Sequence, residues 1–481
     1  MKDVLWRRQE ILDAVKGKAF QDENWAATGV CINTMELENG DIFFALNGAS
    51  TDGHNYVKSA LMNGAIAAVV SQKYAREAEN NARLIGVKDT YEALCELGRA
   101  GRKRAQKLVA ITGSVGKTTI KDMARGAFAR AGKTHASIRS FNNHVGVPVT
   151  LARMPTDTKY AISEMGMDHK GELEYLSKLA QPDVVVVSEI GKSHMASFES
   201  FDDLVLAKAE IFLGCHAGSI AIIHRDGSEY PLLEKQARAA GIKTIITFGA
   251  HPESQVRLET WQETNQGLLI TVNIDGRPYE AHIVSLGYHN AINAAAVFAI
   301  ALVLGIDFDT VSLGLSTWEP LVGRGQTWNV TIEDKNNNHS EGDFLLIDES
   351  YNANPLSLKG ALQNFTSIIE RRKKNNACAG SYYVFLGDML DLGQLEIDAH
   401  KDVLHMPGLL EADKIFTIGN RMRYLHDLIP EEKRGAHSDS IDGMVACAEQ
   451  AVRPGDIVMV KGSNATGISS LVSALKRLGS H

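Results

Sequence analysis

The chain has few cysteines, no long apolar run and no excess of positive charge, and each shortage excludes a class of protein. Its five cysteines are scattered without a Cys-x-x-Cys pair, which excludes a zinc ribbon and favours reduced thiols over a disulfide framework. The most apolar stretch, residues 294–306, is shorter than the roughly 20 residues that cross a bilayer, so we expect a buried helix. Residues 1–18 are charged and lack the apolar core of a signal peptide. We therefore expect a cytoplasmic protein without membrane insertion.

The formal net charge is −8, from 50 Lys and Arg residues against 58 Asp and Glu residues. A nucleic-acid-binding protein needs a basic face, so we expect no nucleic-acid partner. Two short basic runs, residues 99–107 and 371–374, are better explained as solvated helix or loop surface. The length of 481 residues is enough for about three domains, each with its own core.

Strand-like and helical patterns divide the chain into three blocks of α/β type. Residues 1–106 predict a small α/β domain, and residues 107–318 follow the strand–helix rhythm of a parallel sheet. Residues 319–481 repeat that rhythm and predict a doubly wound domain. Strands are predicted at residues 41–46, 65–70, 83–87, 344–347, 382–386, 414–418 and 456–460, and others are predicted to end at residues 112, 164 and 188.

Residues 267–284 change to a period of two, in which Ile270, Val272 and Ile274 alternate with polar residues. The dipeptide Asp275-Gly276 follows, which is a hairpin signal. The pattern predicts a small antiparallel flap on the central sheet. Residues 335–339 form a polar run that is typical of a loose loop.

Residues 109–119 read Val-Ala-Ile-Thr-Gly-Ser-Val-Gly-Lys-Thr-Thr, an apolar strand that breaks into a glycine loop and opens a helical pattern. Backbone N–H groups of such a loop bind phosphate, Lys117 adds a charge for the outer phosphates, and Thr118 offers a hydroxyl to Mg²⁺. Ile111 stands where the longer form of the motif has its first glycine, so the loop is a shorter variant. The loop indicates a nucleoside triphosphate substrate; the alternative is an ordinary strand-to-helix turn.

Polar residues that follow predicted strands are candidates because ligands gather at the carboxyl ends of parallel strands. Glu164 ends a strand, and with Thr118 it would give Mg²⁺ two oxygen ligands, although it could equally cap the strand. His194 follows the strand that ends at residue 188, but a lone histidine is more often structural. Lys208 lies in a helical stretch where a lysine is normally solvated, and its periodicity does not single it out.

Two further segments are rich in hydrogen-bonding groups. His289, Asn290 and Asn293 open the apolar helix and could bond the edge of a purine, with helix capping as the rival explanation. Asp348 ends a strand and is followed by Glu-Ser-Tyr-Asn-Ala-Asn-Pro, a turn whose side-chain donors and acceptors suggest a ligand rather than a bare connection.

These motifs together closely resemble the Mur ligases, the family that builds the peptide of bacterial cell-wall precursors. The matching segments are Thr-Gly-Ser-Val-Gly-Lys-Thr-Thr at 112–119, Asn-Asn-His-Val-Gly-Val-Pro at 142–148, Glu-Met-Gly at 164–166, Asp-Glu-Ser-Tyr-Asn-Ala-Asn-Pro at 348–355 and Leu-Gly-Asp-Met-Leu-Asp-Leu-Gly at 386–393. They span nearly the whole chain in the expected order. The fourth and fifth segments favour the member that adds D-alanyl-D-alanine.

The resemblance implies a set of site residues. It implies that Thr118 and Glu164 hold one Mg²⁺ and that His194 and a carbamylated Lys208 hold or support a second; carbamylation would turn an ammonium into an oxygen ligand. The implied catalytic residues are Lys117, Glu164, His194, Lys208 and Arg324. The implied ATP-binding residues are Gly113, Ser114, Val115, Gly116, Lys117, Thr118, Thr119, His289, Asn290 and Asn293 (facing adenine), Arg324 (phosphates), Asp348 (ribose) and Tyr351. The implied substrate-binding residues are Asn33, Thr34, Asn142, Asn143, Asn352, Asn354 and Lys461.

The chain departs from the family pattern at two places. In the uridine-binding domain these ligases commonly carry Asp-Ser-Arg or Asp-Thr-Arg, whereas this chain has Asn33-Thr34-Met35. Near the carboxyl terminus Asn464 stands where an arginine is usual, after Lys461-Gly-Ser.

By this resemblance we expect an ATP-dependent ligase that joins D-alanyl-D-alanine to UDP-N-acetylmuramoyl-tripeptide through an acyl phosphate, as a monomer, for peptidoglycan synthesis. The three domains would hold the UDP-linked substrate, ATP and the dipeptide in turn. A folylpolyglutamate synthase is the nearest alternative, but it would lack the block before Lys107. The ligase of the third peptide residue would carry Asp-Asn-Pro-Arg, which is missing here. A catalytically idle nucleotide-binding module is the remaining alternative.

Overall fold

A computed structural model describes residues 3–19, 24–48, 51–78, 83–138, 140–192, 195–264, 266–334, 340–374 and 380–479. The chain forms three α/β units, and apolar side chains fill the space on both faces of the main sheet in each unit. The predicted fold class is confirmed. Among the described residues, no helix combines the length and apolar character that a membrane span requires.

The amino-terminal unit contains a five-stranded sheet, in the order β2-β7-β6-β5-β4, and a two-stranded ribbon of β1 and β3. Its strands are β1 Trp6–Arg7, β2 Lys18–Ala19, β3 Ala26–Ala27, β4 Gly29–Cys31, β5 Asp41–Phe44, β6 Ala67–Ser71 and β7 Leu84–Val87. Its helices are α1 Arg8–Val15, α2 Val57–Met62, α3 Gln72–Glu77 and α4 Thr90–Arg102.

The central unit is built on a nine-stranded sheet in the order β16-β15-β14-β13-β12-β11-β8-β10-β9. Its strands are β8 Lys107–Thr112, β9 Thr134–Ala136, β10 Tyr160–Glu164, β11 Val184–Val187, β12 Ile220–His224, β13 Thr244–Gly249, β14 Val256–Thr264, β15 Gly267–Ile274 and β16 Arg277–Ile283. Its helices are α5 Lys117–Phe128, α6 Gly146–Ala152, α7 Glu172–Ala180, α8 Phe201–Ala209, α9 Tyr230–Ala239, α10 Tyr288–Leu304 and α11 Phe308–Ser316.

The carboxyl-terminal unit has a six-stranded sheet in the order β17-β18-β22-β19-β20-β21, in which only the β17–β18 pair is antiparallel. Its strands are β17 Gln326–Asp334, β18 Ser340–Glu349, β19 Tyr382–Gly387, β20 Lys414–Ile418, β21 Arg434–Ser438 and β22 Ile457–Lys461. Its helices are α12 Pro355–Lys374, α13 Glu396–Asp402, α14 Arg423–His426, α15 Ile441–Ala451 and α16 Ser469–Arg477.

The predicted flap is confirmed and is one strand larger than expected. β14, β15 and β16 pair antiparallel and extend the parallel part of the sheet. The turn between β15 and β16 is at Asp275-Gly276, where both residues have positive φ, as a two-residue hairpin requires. The predicted apolar helix is also confirmed, because α10 is buried along most of its length. The polar run at 335–339 lies outside the described residues.

The order of the central strands positions the site. β8 lies between β10 and β11, and all three run parallel, so the loops that follow them meet at one edge of the sheet. These are the loops that carry Lys117, Glu164 and Glu189. β12 and β13 continue the parallel sheet beyond β11 and bring their carboxyl ends to the same edge.

Candidate active site

A cleft of about 1090 Å³ lies at this edge of the central sheet and is closed on the far side by the carboxyl-terminal unit. It gathers most of the residues that the sequence singled out. From the central unit it is lined by Ser114, Val115, Gly116, Lys117, Thr118, Thr119, Asn142, Asn143, Glu164, Lys208, His289, Asn290 and Asn293. From the carboxyl-terminal side it is lined by Arg324, Tyr351, Asn352, Asn354 and Lys461.

The glycine loop makes a tight turn between β8 and α5. Gly113 has φ +148° and packs against Ser188, while Gly116 has φ +84° and begins α5. The N–H groups of Ser114 and Val115 donate to the Glu189 carbonyl at 2.9 and 3.3 Å. These bonds fix the loop against the β11 loop. The first N–H groups of α5 have no acceptor within the helix and carry its positive dipole, which makes this helix end the anion-binding part of the motif.

Lys117 folds back over the loop. Its Nζ donates to the carbonyl of Gly113 at 2.7 Å and to that of Ser114 at 3.3 Å. Burial lowers the pKa of this ammonium, and the Glu164 carboxylate partly opposes that effect. A phosphate would give the charge a stronger partner than two carbonyls do.

Glu164 ends β10 and is almost completely buried. Its Oε1 accepts a hydrogen bond from Asn142 Nδ2 at 2.8 Å, and its Oε2 lies 3.5 Å from Lys121 Nζ. Oε2 has no hydrogen-bond partner among the described residues, so one oxygen of a buried carboxylate is available to a cation. Thr118, which is 3% exposed, begins the helix next to it.

Lys208 lies in the last turn of α8 and is 2% exposed. Its Nζ donates to the Gly113 carbonyl at 3.3 Å, beneath the glycine loop. Burial, with the charge of Lys117 as a second cause, sets the pKa of Lys208 well below its usual value, so the amine is neutral at pH 7 and able to react. His194 lies outside the described residues.

The polar residues of α10 make contacts inside the protein. Asn290 Nδ2 donates to Ser285 Oγ at 2.9 Å and to the Leu286 carbonyl at 2.8 Å, which is the capping interpretation of that residue. Asn293 Oδ1 packs directly against Gly116. Burial lowers the pKa of His289 to about 4, with Lys461 as a smaller cause, so the imidazole is neutral.

The carboxyl-terminal unit contributes an arginine held by an aromatic ring. The Arg324 guanidinium lies 4.0 Å from the centre of the Tyr351 ring, and the Tyr351 hydroxyl contacts Ser140 Oγ in the central unit at 2.5 Å. The arginine is therefore fixed over the cleft by a residue that also bridges the two units.

The polar turn after β18 is partly self-satisfied. Asp348 is 1% exposed, and its carboxylate accepts the N–H groups of Gly323 and Ser350. It therefore fixes the start of the unit rather than lining the cleft, and its implied ribose contact stays a prediction. Lys461 Nζ donates to the Asn352 carbonyl at 3.0 Å and lies 3.5 Å from Glu349 Oε2.

The asparagines expected near the muramyl substrate serve partly as caps. Asn143 Oδ1 accepts the N–H groups of Val145 and Gly146 at the start of α6. Asn354 Oδ1 accepts the Ser357 N–H at the start of α12, and Asn352 Oδ1 accepts the Ala353 N–H. These bonds orient each amide and leave the assigned substrate contacts as predictions.

Asn33 and Thr34 lie apart from the cleft, on a short helical turn after β4 in the amino-terminal unit. Asn33 Oδ1 accepts the Met35 N–H at 3.1 Å, and the Met35 side chain is 89% exposed. Their uridine contacts stay predictions.

Three cleft contacts escaped sequence reasoning. Lys121 pairs with Glu164, and its place one turn after Lys117 on α5 was the available signal. Ser140 and Glu349 gave no comparable signal, because their roles depend on how two units meet.

Comparison with known proteins gives this arrangement a family. Sequence profiles match three successive segments: "Mur ligase family, catalytic domain" at residues 26–102, "Mur ligase middle domain" at 111–301, and "Mur ligase, glutamate ligase domain" at 337–464. A curated relative is 31% identical over 97% of both chains. The chain belongs to the Mur ligase family, whose members are ATP-dependent ligases that form peptide bonds.

The relatives narrow the similarity to one branch. The 31% identical protein is the UDP-N-acetylmuramoyl-tripeptide–D-alanyl-D-alanine ligase of Bacillus subtilis. The crystal structure of MurF from Acinetobacter baumannii superposes with a TM-score of 0.79 at 26% identity and covers 98% of this chain and 99% of its own. MurF of Thermotoga maritima in complex with ADP superposes with a TM-score of 0.75 at 21% identity, covering 94% of this chain and 98% of its own, which supports the fold.

Proposed function

We propose that this chain joins D-alanyl-D-alanine to UDP-N-acetylmuramoyl-tripeptide with ATP, through an acyl phosphate, in the bacterial cytoplasm. The observation that carries the proposal is the cleft, in which the phosphate loop with Lys117 faces Arg324 of the carboxyl-terminal unit. The full-length similarity to ligases of this reaction supports the same conclusion. The product, UDP-N-acetylmuramoyl-pentapeptide, would serve peptidoglycan synthesis and hence cell shape and division.

The first chemical step activates a carboxylate. An oxygen of the tripeptide's terminal carboxylate attacks the γ-phosphorus of ATP, the bond to the bridging oxygen breaks, and ADP leaves. Both partners are anions, so the site must offset their repulsion and the charge on the transferring phosphoryl group. Lys117 and Arg324 are assigned that role, since they reach the cleft from opposite walls.

The second step forms the peptide bond. The neutral amine of D-alanyl-D-alanine attacks the carbonyl carbon of the acyl phosphate, phosphate departs with the bridging oxygen, and the amine releases a proton. An acyl phosphate hydrolyses if water reaches it, so the reaction needs a closed cleft. We assign that closure to the carboxyl-terminal unit, which Tyr351 links to Ser140.

The donors beside the phosphate loop suit Mg²⁺. They are the hydroxyl of Thr118 and the carboxylate of Glu164, whose Oε2 has no hydrogen-bond partner among the described residues. Nowhere in the described ranges do three or more His, Cys, Asp or Glu side chains group as a metal site. Mg²⁺ with few protein ligands and several phosphate oxygens is the usual arrangement at such sites, where it neutralises phosphate charge. A second ion at His194 and a carbamylated Lys208 remains part of the proposal.

The three units divide the substrates. We assign the UDP-linked substrate to residues 1–106, ATP to residues 107–318 and the dipeptide to residues 319–481, in a monomer. A folylpolyglutamate synthase is disfavoured because the first block matches the Mur ligase profile over residues 26–102.

Phosphate release by the purified chain tests the proposal. With Mg·ATP, UDP-N-acetylmuramoyl-tripeptide and D-alanyl-D-alanine present, we expect phosphate release that requires both substrates and yields the pentapeptide by mass spectrometry. Tripeptides with lysine or diaminopimelate at the third position are compared in parallel. ATP binding without substrate-dependent release from any tripeptide would favour the idle nucleotide-binding module.

A further inference from the structure

The cleft continues past the phosphate loop to a region that none of the assignments above uses. At the carboxyl ends of β11, β12 and β13 it is lined by Glu189, His224, Asp226 and Phe248, and Tyr288 at the start of α10 completes this end. We call these five residues the base pocket. It combines aromatic rings with carboxylates and one imidazole.

His224 is the buried polar group of the base pocket. The residue is 5% exposed, and neither ring nitrogen has a hydrogen-bond partner among the described residues. Nε2 lies 3.4 Å from Asp226 Oδ2 without hydrogen-bond alignment, and the ring packs against Phe248 with 5.2 Å between centroids. A buried polar group without a partner is costly to the folded protein, so a ligand that supplies the missing bond would be recognised.

Two carboxylates frame that imidazole. Asp226 is held in place by the N–H groups of Ala250 and His251, each at 2.8 Å. The main chain of Glu189 accepts the N–H groups of the phosphate loop, so its side chain starts next to the triphosphate. Burial raises the pKa of the Glu189 carboxyl, with the nearby Asp226 and Glu229 as smaller causes acting in the same direction. The pocket thus presents acceptors a short distance from the phosphate site.

The two amides expected to face the base are engaged elsewhere. Asn290 donates to Ser285 and Leu286, and Asn293 packs against Gly116 beneath the phosphate loop. The edge of a purine would therefore meet the base pocket before it met these amides.

We propose that the base pocket binds the purine of the nucleotide and selects a 6-amino purine over a 6-oxo purine. This inference rests on the proposed function and names what reads the base in that site. Adenine offers an N–H₂ donor at position 6, whereas guanine and hypoxanthine offer an oxygen acceptor there. Carboxylates accept from the amine and repel the oxygen, and neutral His224 has one nitrogen that accepts. Phe248 and Tyr288 provide ring surface for stacking.

Nucleotide selection in a matched set of variants tests the proposal. Binding of Mg·ATP and of Mg·ITP, whose base is hypoxanthine, is measured by titration without the other substrates, and turnover is measured with both. The wild-type chain is expected to bind ATP at least about 10-fold more tightly than ITP. In Glu189→Gln and His224→Gln we expect KM for ATP to rise about 10-fold with kcat little changed, and the ATP-to-ITP ratio to fall. Glu253→Gln, an exposed carboxylate 69% accessible on the next loop, is the control and should keep the wild-type ratio.

The outcomes separate this inference from the proposed function. Equal binding of ATP and ITP by the wild-type chain would overturn the base pocket, even if ligation is normal. Variants that lose affinity for both nucleotides equally would also overturn it, since that result means a structural role. A selective loss for ATP supports it, whether or not the chain ligates its substrates.

Discussion

Two lysines lie at the phosphate loop in places where a charge is hard to solvate. Lys117 and Lys208 both donate to the carbonyl of Gly113, and burial lowers the pKa of each. A site that must receive a triphosphate gains from cations that lack strong partners beforehand, because little has to be broken on binding. Their burial is therefore functional, and we expect it to reduce stability rather than add to it.

Replacing Lys117 tests the phosphate site at the level of one side chain. Lys117→Ala should lower substrate-dependent phosphate release by about 10²-fold or more, since it removes a charge from the developing transition state. Circular dichroism and melting temperature should stay close to wild type. Lys178→Ala, which removes an exposed lysine from α7, should leave turnover unchanged. Near-normal turnover in the Lys117 variant would contradict the assignment.

His289 gives the stability a defined pH dependence. Its pKa is about 4 in the folded chain against a usual 6.5, so the unfolded chain binds a proton first as the pH falls. The free energy of unfolding should therefore decrease as the pH falls from about 6.5 to about 4. His289→Gln should make that decrease smaller when stability is measured by urea unfolding across this window. An unchanged slope would contradict the burial argument.

At this scale the sequence predicted residues whose position in the chain defines their chemistry. Lys117 and Glu164 follow strands, and the cleft includes both. His224 and Glu349 were missed because each gains its meaning from a neighbour on another strand. Asp348 ends a strand as predicted, but its oxygens bond to Gly323 and Ser350, which no local pattern signals.

At the scale of elements, the phosphate loop and α5 act as one device. Gly116 begins the helix with φ +84°, and an added Cβ would lie 2.5 Å from Asn293 Oδ1. The position therefore requires glycine for both conformation and space.

Two glycine substitutions in this device should have opposite effects. Gly116→Ala should destabilise the chain by about 1–2 kcal/mol and weaken Mg·ATP binding, because it strains the turn that presents the helix end. Gly126→Ala in the same helix meets nothing within 4 Å and should stabilise the chain by about 0.5–1 kcal/mol with binding unchanged. Thermal unfolding and nucleotide titration of both variants check this. A neutral Gly116→Ala would show that the loop tolerates a side chain.

Elements with a clear period were predictable, and those defined by pairing were not. The flap alternated strictly from Ile270 to Ile274, and β15 and β16 lie where that pattern placed them. β17 and β21 were missed because each lies at an edge of its sheet and carries many polar residues. Their strand character comes from the neighbour that they pair with.

At the scale of the whole molecule, the units are joined in two different ways. The amino-terminal unit shares an apolar cluster with α6 of the central unit, and Gly101 of α4 lies directly against the Leu151 backbone. The carboxyl-terminal unit is joined by smaller contacts, including the Tyr351–Ser140 bond. We therefore expect the first two units to move as one body and the third to open and close.

The bond between Tyr351 and Ser140 should contribute to closure. Tyr351→Phe and Ser140→Ala should each lower kcat about 5-fold, which is the range of one hydrogen bond, and the double variant should be no worse than either. Steady-state kinetics of the four proteins check this. Additive losses would mean that the two hydroxyls act independently.

The chain's central chemistry is transfer of the γ-phosphoryl group of ATP to a carboxylate oxygen in the cleft between the second and third units. Oxygen-18 in the terminal carboxylate of the tripeptide tests it most directly, by mass spectrometry of the phosphate released during ligation. One labelled oxygen should pass to each phosphate, since the acyl phosphate loses its bridging oxygen to the leaving group. Phosphate without label, formed while the pentapeptide accumulates, would contradict the mechanism.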